Sequence, residues 1–187
     1  MMKPWFWAGC AVAALAALPS PGRAANSATC HTSASHVVVE RPREDFAGMD
    51  FLIKAKARPD AEVPCLYKAG KGDFEIDASE DAYFFLGLQG RFLVLDGGTG
   101  PTRSLVVYDL DVRRKVFEAT TSGEDTQVTD KGVTFWMQTG SGTARNCKQY
   151  REYAKSGLGA AIETRATFDF ASMTLRKGNQ THCIATQ

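Results

Sequence analysis

The sequence predicts an all-β fold: an antiparallel meander of about a dozen short strands with at most one short helix. Three observations carry that expectation. Apolar and polar residues alternate with period two from about residue 36 onward, compact turns bearing Gly or Asp separate the alternating runs, and helical periodicity is nearly absent. The strands are expected to assemble as a sandwich or barrel, or as a small propeller-like set of sheets.

The chain opens on MMKPWFWAGCAVAALAALPSPGRAANS, which has the three parts of a secretory signal. Lys3 supplies the positive charge, Trp5 to Leu18 form the apolar stretch, and Gly22 and Ala24 are the small residues of a cleavage site. The expectation is a signal peptide over residues 1–24 and a single disulfide-bonded domain over residues 25–187, periplasmic or secreted. With Lys3 and Arg23 removed, the formal net charge of +1 becomes −1. That balance gives no electrostatic footprint for nucleic acid. No later segment is apolar and long enough to be expected to cross a membrane.

Strand signals follow in order. In FLIKAKAR, Phe51, Ile53, Ala55 and Ala57 share one face, and Lys54, Lys56 and Arg58 the other. RFLVLD and SLVVYDL are apolar on both faces, so these two strands are expected centrally, covered above and below. VTFWMQ places Val133, Phe135 and Met137 inward. AIETRATFDF places Ile162, Thr164, Ala166, Phe168 and Phe170 inward, with Glu163, Arg165, Thr167 and Asp169 toward water. The one helical signal is ARNCKQYREYAKSG, where Cys147, Tyr150 and Ala154 repeat at helical spacing and Gly157 can cap the end. It lies in a long excursion over residues 140–160.

An internal repeat is visible: VVYDLDVRRKVF at 106–117 resembles ATFDFASMTLRK at 166–177, and GRFLVLD at 90–96 corresponds to GVTFWMQ at 132–138. The stretch from YFFLGL to KVFEA is similar to a single propeller blade in length and strand order.

LVLDGGTGPTR resembles the first phosphate loop of actin-like sugar kinases and heat-shock ATPases, with Asp96, Gly98 and Thr99 at the matching positions. That family needs two large α/β halves and a second loop, which a short β-rich chain does not supply. The stretch is therefore read as a hairpin loop, with Asp96 closing it through an Asx-type bond. Thr99, Thr102 and Arg103 are left to face solvent or a partner.

Beyond Cys10 of the signal, Cys30, Cys65, Cys147 and Cys183 remain, with no Cys-x-x-Cys pair. They read as two disulfides, Cys30–Cys65 and Cys147–Cys183 being the preferred pairing. His31 and His182 flank two of these cysteines, and two imidazoles do not make a metal site. No G-x-S-x-G elbow or unpaired mature cysteine is present, so no catalytic residue, cofactor or metal is expected.

These readings favour a non-enzymatic binding module, of inhibitor or immunity type, acting on a protein or envelope component. Its candidate contact residues are Thr99, Thr102, Arg103, Arg145, Tyr150, Arg151 and Tyr153. Two alternatives stand beside it: a carboxylate-based hydrolase of envelope sugars or peptides, and a structural envelope protein.

Overall fold

Alternating apolar runs become strands wherever one face can be buried, and here three four-stranded meanders stack their apolar faces on one another. The structure, a computed structural model, describes residues 28–79 and 81–187. The expected signal peptide lies outside the described residues. β1 (Thr29–Thr32), β2 (His36–Pro42), β3 (Met49–Ala55) and β4 (Phe74–Glu75) form an antiparallel sheet in chain order. β5 (Tyr83–Gln89), β6 (Phe92–Gly97), β7 (Arg103–Asp109) and β8 (Arg114–Thr121) form the second meander. β9 (Gln127–Thr129), β10 (Gly132–Ser141), β11 (Gly159–Asp169) and β12 (Thr174–Thr186) form the third. The second and third share one eight-stranded sheet, yet a single residue pair, Thr121 with Met137, joins β8 to β10. The sheets do not close into a barrel.

The middle meander is apolar on both faces because it has neighbours on both. Leu93, Leu95 and Val106 pack with Val38, Phe51 and Ile53 of the first sheet. Phe92, Val94, Leu105 and Val107 pack with Val133, Phe135, Ala166 and Phe168 of the third meander. Each such aliphatic side chain contributes roughly 1.5–3 kcal/mol on leaving water. β9 reaches across to β5 at Gly87, where a Cβ would stand 2.9 Å from Val128 Cγ1. Any larger residue at 87 would push the two meanders apart.

The alternation reading of FLIKAKAR needs one correction. Leu52 lies on the face assigned to water but is fully buried with Val37 and Val39. The loop over residues 56–73 covers it with Val63 and Tyr67. That loop is tied down by the Cys30–Cys65 disulfide, by the Arg41 guanidinium 3.9 Å over the Tyr67 ring, and by Lys54 Nζ donating to the Lys68 carbonyl (2.8 Å). Closing a loop of this size constrains the unfolded chain by roughly 3–4 kcal/mol.

The internal repeat is present in the backbone. Asp109 accepts a hydrogen bond from the Asp111 N–H, and Arg113 takes φ 55°; Asp169 accepts one from the Ser172 N–H, and Met173 takes φ 54°. Leu110 N–H donates to the Arg91 carbonyl as Phe170 N–H donates to that of Lys131. Arg91 therefore matches Lys131, a register two residues away from the sequence correspondence of Gly90 with Gly132.

Strand parity sends all these tight turns to one end of the stack, together with residues 33–35 before β2. The opposite end carries the connections 43–48, 98–102, 122–126 and 142–158, while the long 56–73 connection leaves from the turn end and folds back over Leu52. Rigid strands presenting long loops at one end is the usual layout for a binding surface.

Two outcomes follow from the packing. Leu95→Ala, at a site packed on both sides, will lower unfolding free energy by about 2–5 kcal/mol in denaturant titration. At the turn end, buried His36 has its pKa lowered, first by burial, against the raising effect of Asp111 and Asp109. The fold prefers the neutral imidazole, so this contribution is complete above about pH 6.5 and declines as pH falls below it. Denaturation midpoints at about pH 7.5 and about pH 5.5 will differ, and His36→Asn will narrow the gap.

Candidate functional site

The site is built on the loop end, and its centre is the 96–103 loop. Gly97 pairs with Ser104, and Gly98 turns the chain with φ 99°. Asp96 closes the loop, though not by the expected Asx bond. Arg103 reaches back from the start of β7, its Nε donating to Asp96 Oδ1 (2.7 Å) and its Nη2 lying 2.5 Å from Oδ2. The guanidinium also sits over the Phe84 ring, and Gly123 approaches so closely that a Cβ there would stand 2.9 Å from Arg103 Cδ. Arg103 is thus a loop-closing residue rather than a free contact. The arrangement also removes the phosphate-loop logic: the carboxylate is already neutralised, and the Gly98 N–H donates to the Ala82 carbonyl.

Thr99 and Thr102 are exposed on either side of that closure. Thr99 lines a crevice with Arg43, Phe46 and Asp81, at the tip of the β2–β3 hairpin. Phe46 stands 69 % exposed there, while Arg43 latches the tip to the carbonyls of Ala78 and Asp81. Thr102 lines a second crevice with Thr120, Gln138 and Ser141.

The excursion folds beside this loop. Asn146 Oδ1 accepts from the Thr143 N–H (2.6 Å) and hydroxyl (2.9 Å), and its amide donates to the Ser141 carbonyl. Cys147 is then drawn to Cys183 of β12 by the second disulfide. Both disulfides follow the expected sequential pairing. The helix, α1 (Tyr150–Lys155), starts only after that tether and is shorter than the periodic pattern suggests. Gly157 ends it at φ 74°, its N–H donating to the Ala154 carbonyl while that of Leu158 donates to Tyr153, a Schellman pair. Arg145 and Arg151 are exposed; Tyr150 and Tyr153 are half-buried, more covered than the sequence suggests. Tyr153 and Pro101 line one crevice, together with Ser122, Glu124 and His182. The 96–103 loop and the excursion therefore meet.

Beneath that crevice lies a cluster that strand alternation misplaces. Glu163, expected in water, is 0 % exposed. Its carboxylate accepts from the Ser122 N–H (2.6 Å), the Ser122 hydroxyl (2.9 Å) and His182 Nε2 (2.9 Å). His182 stacks on Trp136 with centroids 4.1 Å apart. Arg165 covers Trp136 as well, and its Nη1 donates to the Asp125 carbonyl (3.0 Å). The network draws the 122–126 loop across the outer face of the third meander. Nothing in the local pattern of β11 signals this, because the covering residues come from some 40 positions earlier in the chain.

The chemistry of this cluster is that of an anchor. Ser122 Oγ donates to the carboxylate and not to the imidazole, so the serine–histidine pairing of a triad is not formed. Glu163 faces a serine and a histidine, where glycoside hydrolysis needs a second carboxylate. Among the described residues, no group of three His, Cys, Asp or Glu side chains could hold a metal ion. His31, the other cystine-adjacent histidine, lies elsewhere, stacked on Phe85 with Nε2 3.1 Å from Glu40. Among the described residues, no helix is long and apolar enough to cross a membrane.

No family model, curated protein or solved structure matches this chain. What the site can do therefore rests on its own geometry.

The anchor has a measurable signature. Glu163→Gln replaces an all-acceptor group with an amide facing donors and will cost about 1.5–3 kcal/mol. Hydrogen exchange will show the Ser122 amide losing protection before the β6–β7 core does.

Proposed function

We propose that this chain is an exported, non-enzymatic binding module that takes a protein or envelope component on its loop end. The carrying observation is the convergence of the 96–103 loop and the 140–160 excursion on one crevice, with Pro101 and Tyr153 on its walls. Thr99, Thr102, Arg145, Tyr150, Arg151 and Tyr153 are its contact residues, and Arg103 holds the central loop in shape. Tyrosine and arginine are the side chains that interfaces favour, because they combine contact area with donors. The two disulfides and the signal-like N-terminus support export to an oxidising compartment. The engagement of Glu163 by Ser122 and His182 supports a scaffold over a catalyst.

Photo-crosslinking separates the two ends of the stack. A photoreactive residue at Thr102 or Tyr153 will yield discrete adducts in envelope extracts of producing cells, and one at Val112 or Met173 on the turn end will not. Equal labelling from both ends, or none from the loop end, would refute the assignment.

A further inference from the structure

The excursion carries a charge pattern of its own. Between Ser141 and Gly159 stand Arg145, Lys148, Arg151 and Lys155 against one acid, Glu152. All four cations are exposed, and none makes an ion pair among the described residues. Elsewhere on the loop end and beneath it, cations are neutralised: Arg41 and Arg43 by Asp50, Arg103 by Asp96, and Arg165 near Asp125. The contrast is physical. Paired guanidinium groups are already compensated, whereas the excursion keeps its positive potential for whatever approaches it. The potential is also presented on a fixed body, since Cys147 is bonded to β12 and the Asn146 turn and Schellman cap fix the two ends of the segment. Association then loses little backbone freedom, and the ordering cost falls on the exposed side chains alone.

A crevice of about 380 Å³ opens between this segment and β12. Its polar walls are Lys148, Gln149, Asn146, Thr181 and His182, with no carboxylate among them. The Lys148 ammonium, the Gln149 amide and the Thr181 hydroxyl are donors without a partner inside the protein among the described residues. Glu163 lies behind His182, its oxygens occupied by Ser122 and the imidazole. A single carboxylate is the group such a crevice accepts, and flanking carboxylates would meet Arg145 and Arg151.

Resting on the binding-module reading above, we infer that the excursion receives an acidic peptide segment of a protein partner, with one carboxylate seated beside Lys148. The favoured ligand is a peptide rather than an anionic membrane. The crevice is walled and of side-chain size, and Tyr153 offers a half-buried ring in the adjoining crevice that shares His182, where a lipid surface would call for exposed apolar anchors.

The test uses the full chain and a fluorescein-labelled decaglutamate peptide as probe, read by anisotropy. Binding will weaken about tenfold or more as salt is raised from about 50 mM to about 500 mM. Lys148→Gln will weaken it several-fold, and Lys148→Glu with Arg151→Glu by more than about tenfold. Lys131→Gln, which makes the same charge change as Lys148→Gln on the turn end, will leave it unaltered. The substituted side chains are all exposed, and non-reducing mobility with circular dichroism will show both disulfides and the strands intact. The inference is overturned if Lys131→Gln weakens binding as much as Lys148→Gln, or if the protein ignores the peptide. It is equally overturned if the protein binds vesicles of phosphatidylglycerol and not the peptide. Absence of peptide binding while Tyr153 crosslinking persists removes the acidic ligand and leaves the binding module standing. Loss of both removes the two together.

Discussion

The whole molecule depends on β6 and β7 being apolar on both faces. A strand of that kind cannot sit at a surface, because either face exposed to water loses the hydrophobic contribution of its leucines and valines. It needs a layer above and a layer below. The first sheet supplies one through Val38, Phe51 and Ile53, and the third meander supplies the other through Phe135 and Phe168. With the middle layer fixed, the position of the 96–103 loop follows, since it is the connection between those two strands. It comes out at the centre of one end, flanked by the β2–β3 tip and by the excursion.

That dependence explains what could be read from the sequence. The central placement of RFLVLD and SLVVYDL was legible because both faces are written into consecutive residues. Inward faces of β10 and β11 were legible too, from Val133, Phe135, Ala166 and Phe168. Four cysteines allow three connectivities, and the sequential one preferred from the sequence matches the geometry. What stayed hidden were contacts made by loops. Leu52 reads as a stray apolar residue on a lysine face until the 56–73 loop is laid over it. Glu163 reads as a solvated acid until Ser122 arrives. Period two reports which face a side chain takes, and carries no information about what later covers that face.

The candidate site was legible to a similar depth. Sequence length and composition singled out the glycine-rich loop and the excursion, and the fold brings both to one crevice. The role of Arg103 was not accessible, because its partner Asp96 had a local explanation of its own. A bidentate guanidinium–carboxylate pair across a hairpin mouth satisfies both groups better than a turn bond satisfies one. Thr99 and Thr102 are then held facing outward on opposite sides of a stiffened closure.

The covered outer faces have a consequence for growth of the stack. Each meander buries one face against the next, so the pattern of three is in principle an open series to which a fourth could be added. It ends because both terminal faces are occupied by the chain itself: the 56–73 loop, stapled by Cys30–Cys65, on one side, and the 122–126 loop, pinned by Glu163, on the other. These segments act as end plates. Reduction of Cys30–Cys65 would leave one of them held by noncovalent contacts such as Arg41 on Tyr67 and Lys54 on Lys68, and each opening of that plate would bare Val37, Val39 and Leu52 as a sticky terminus.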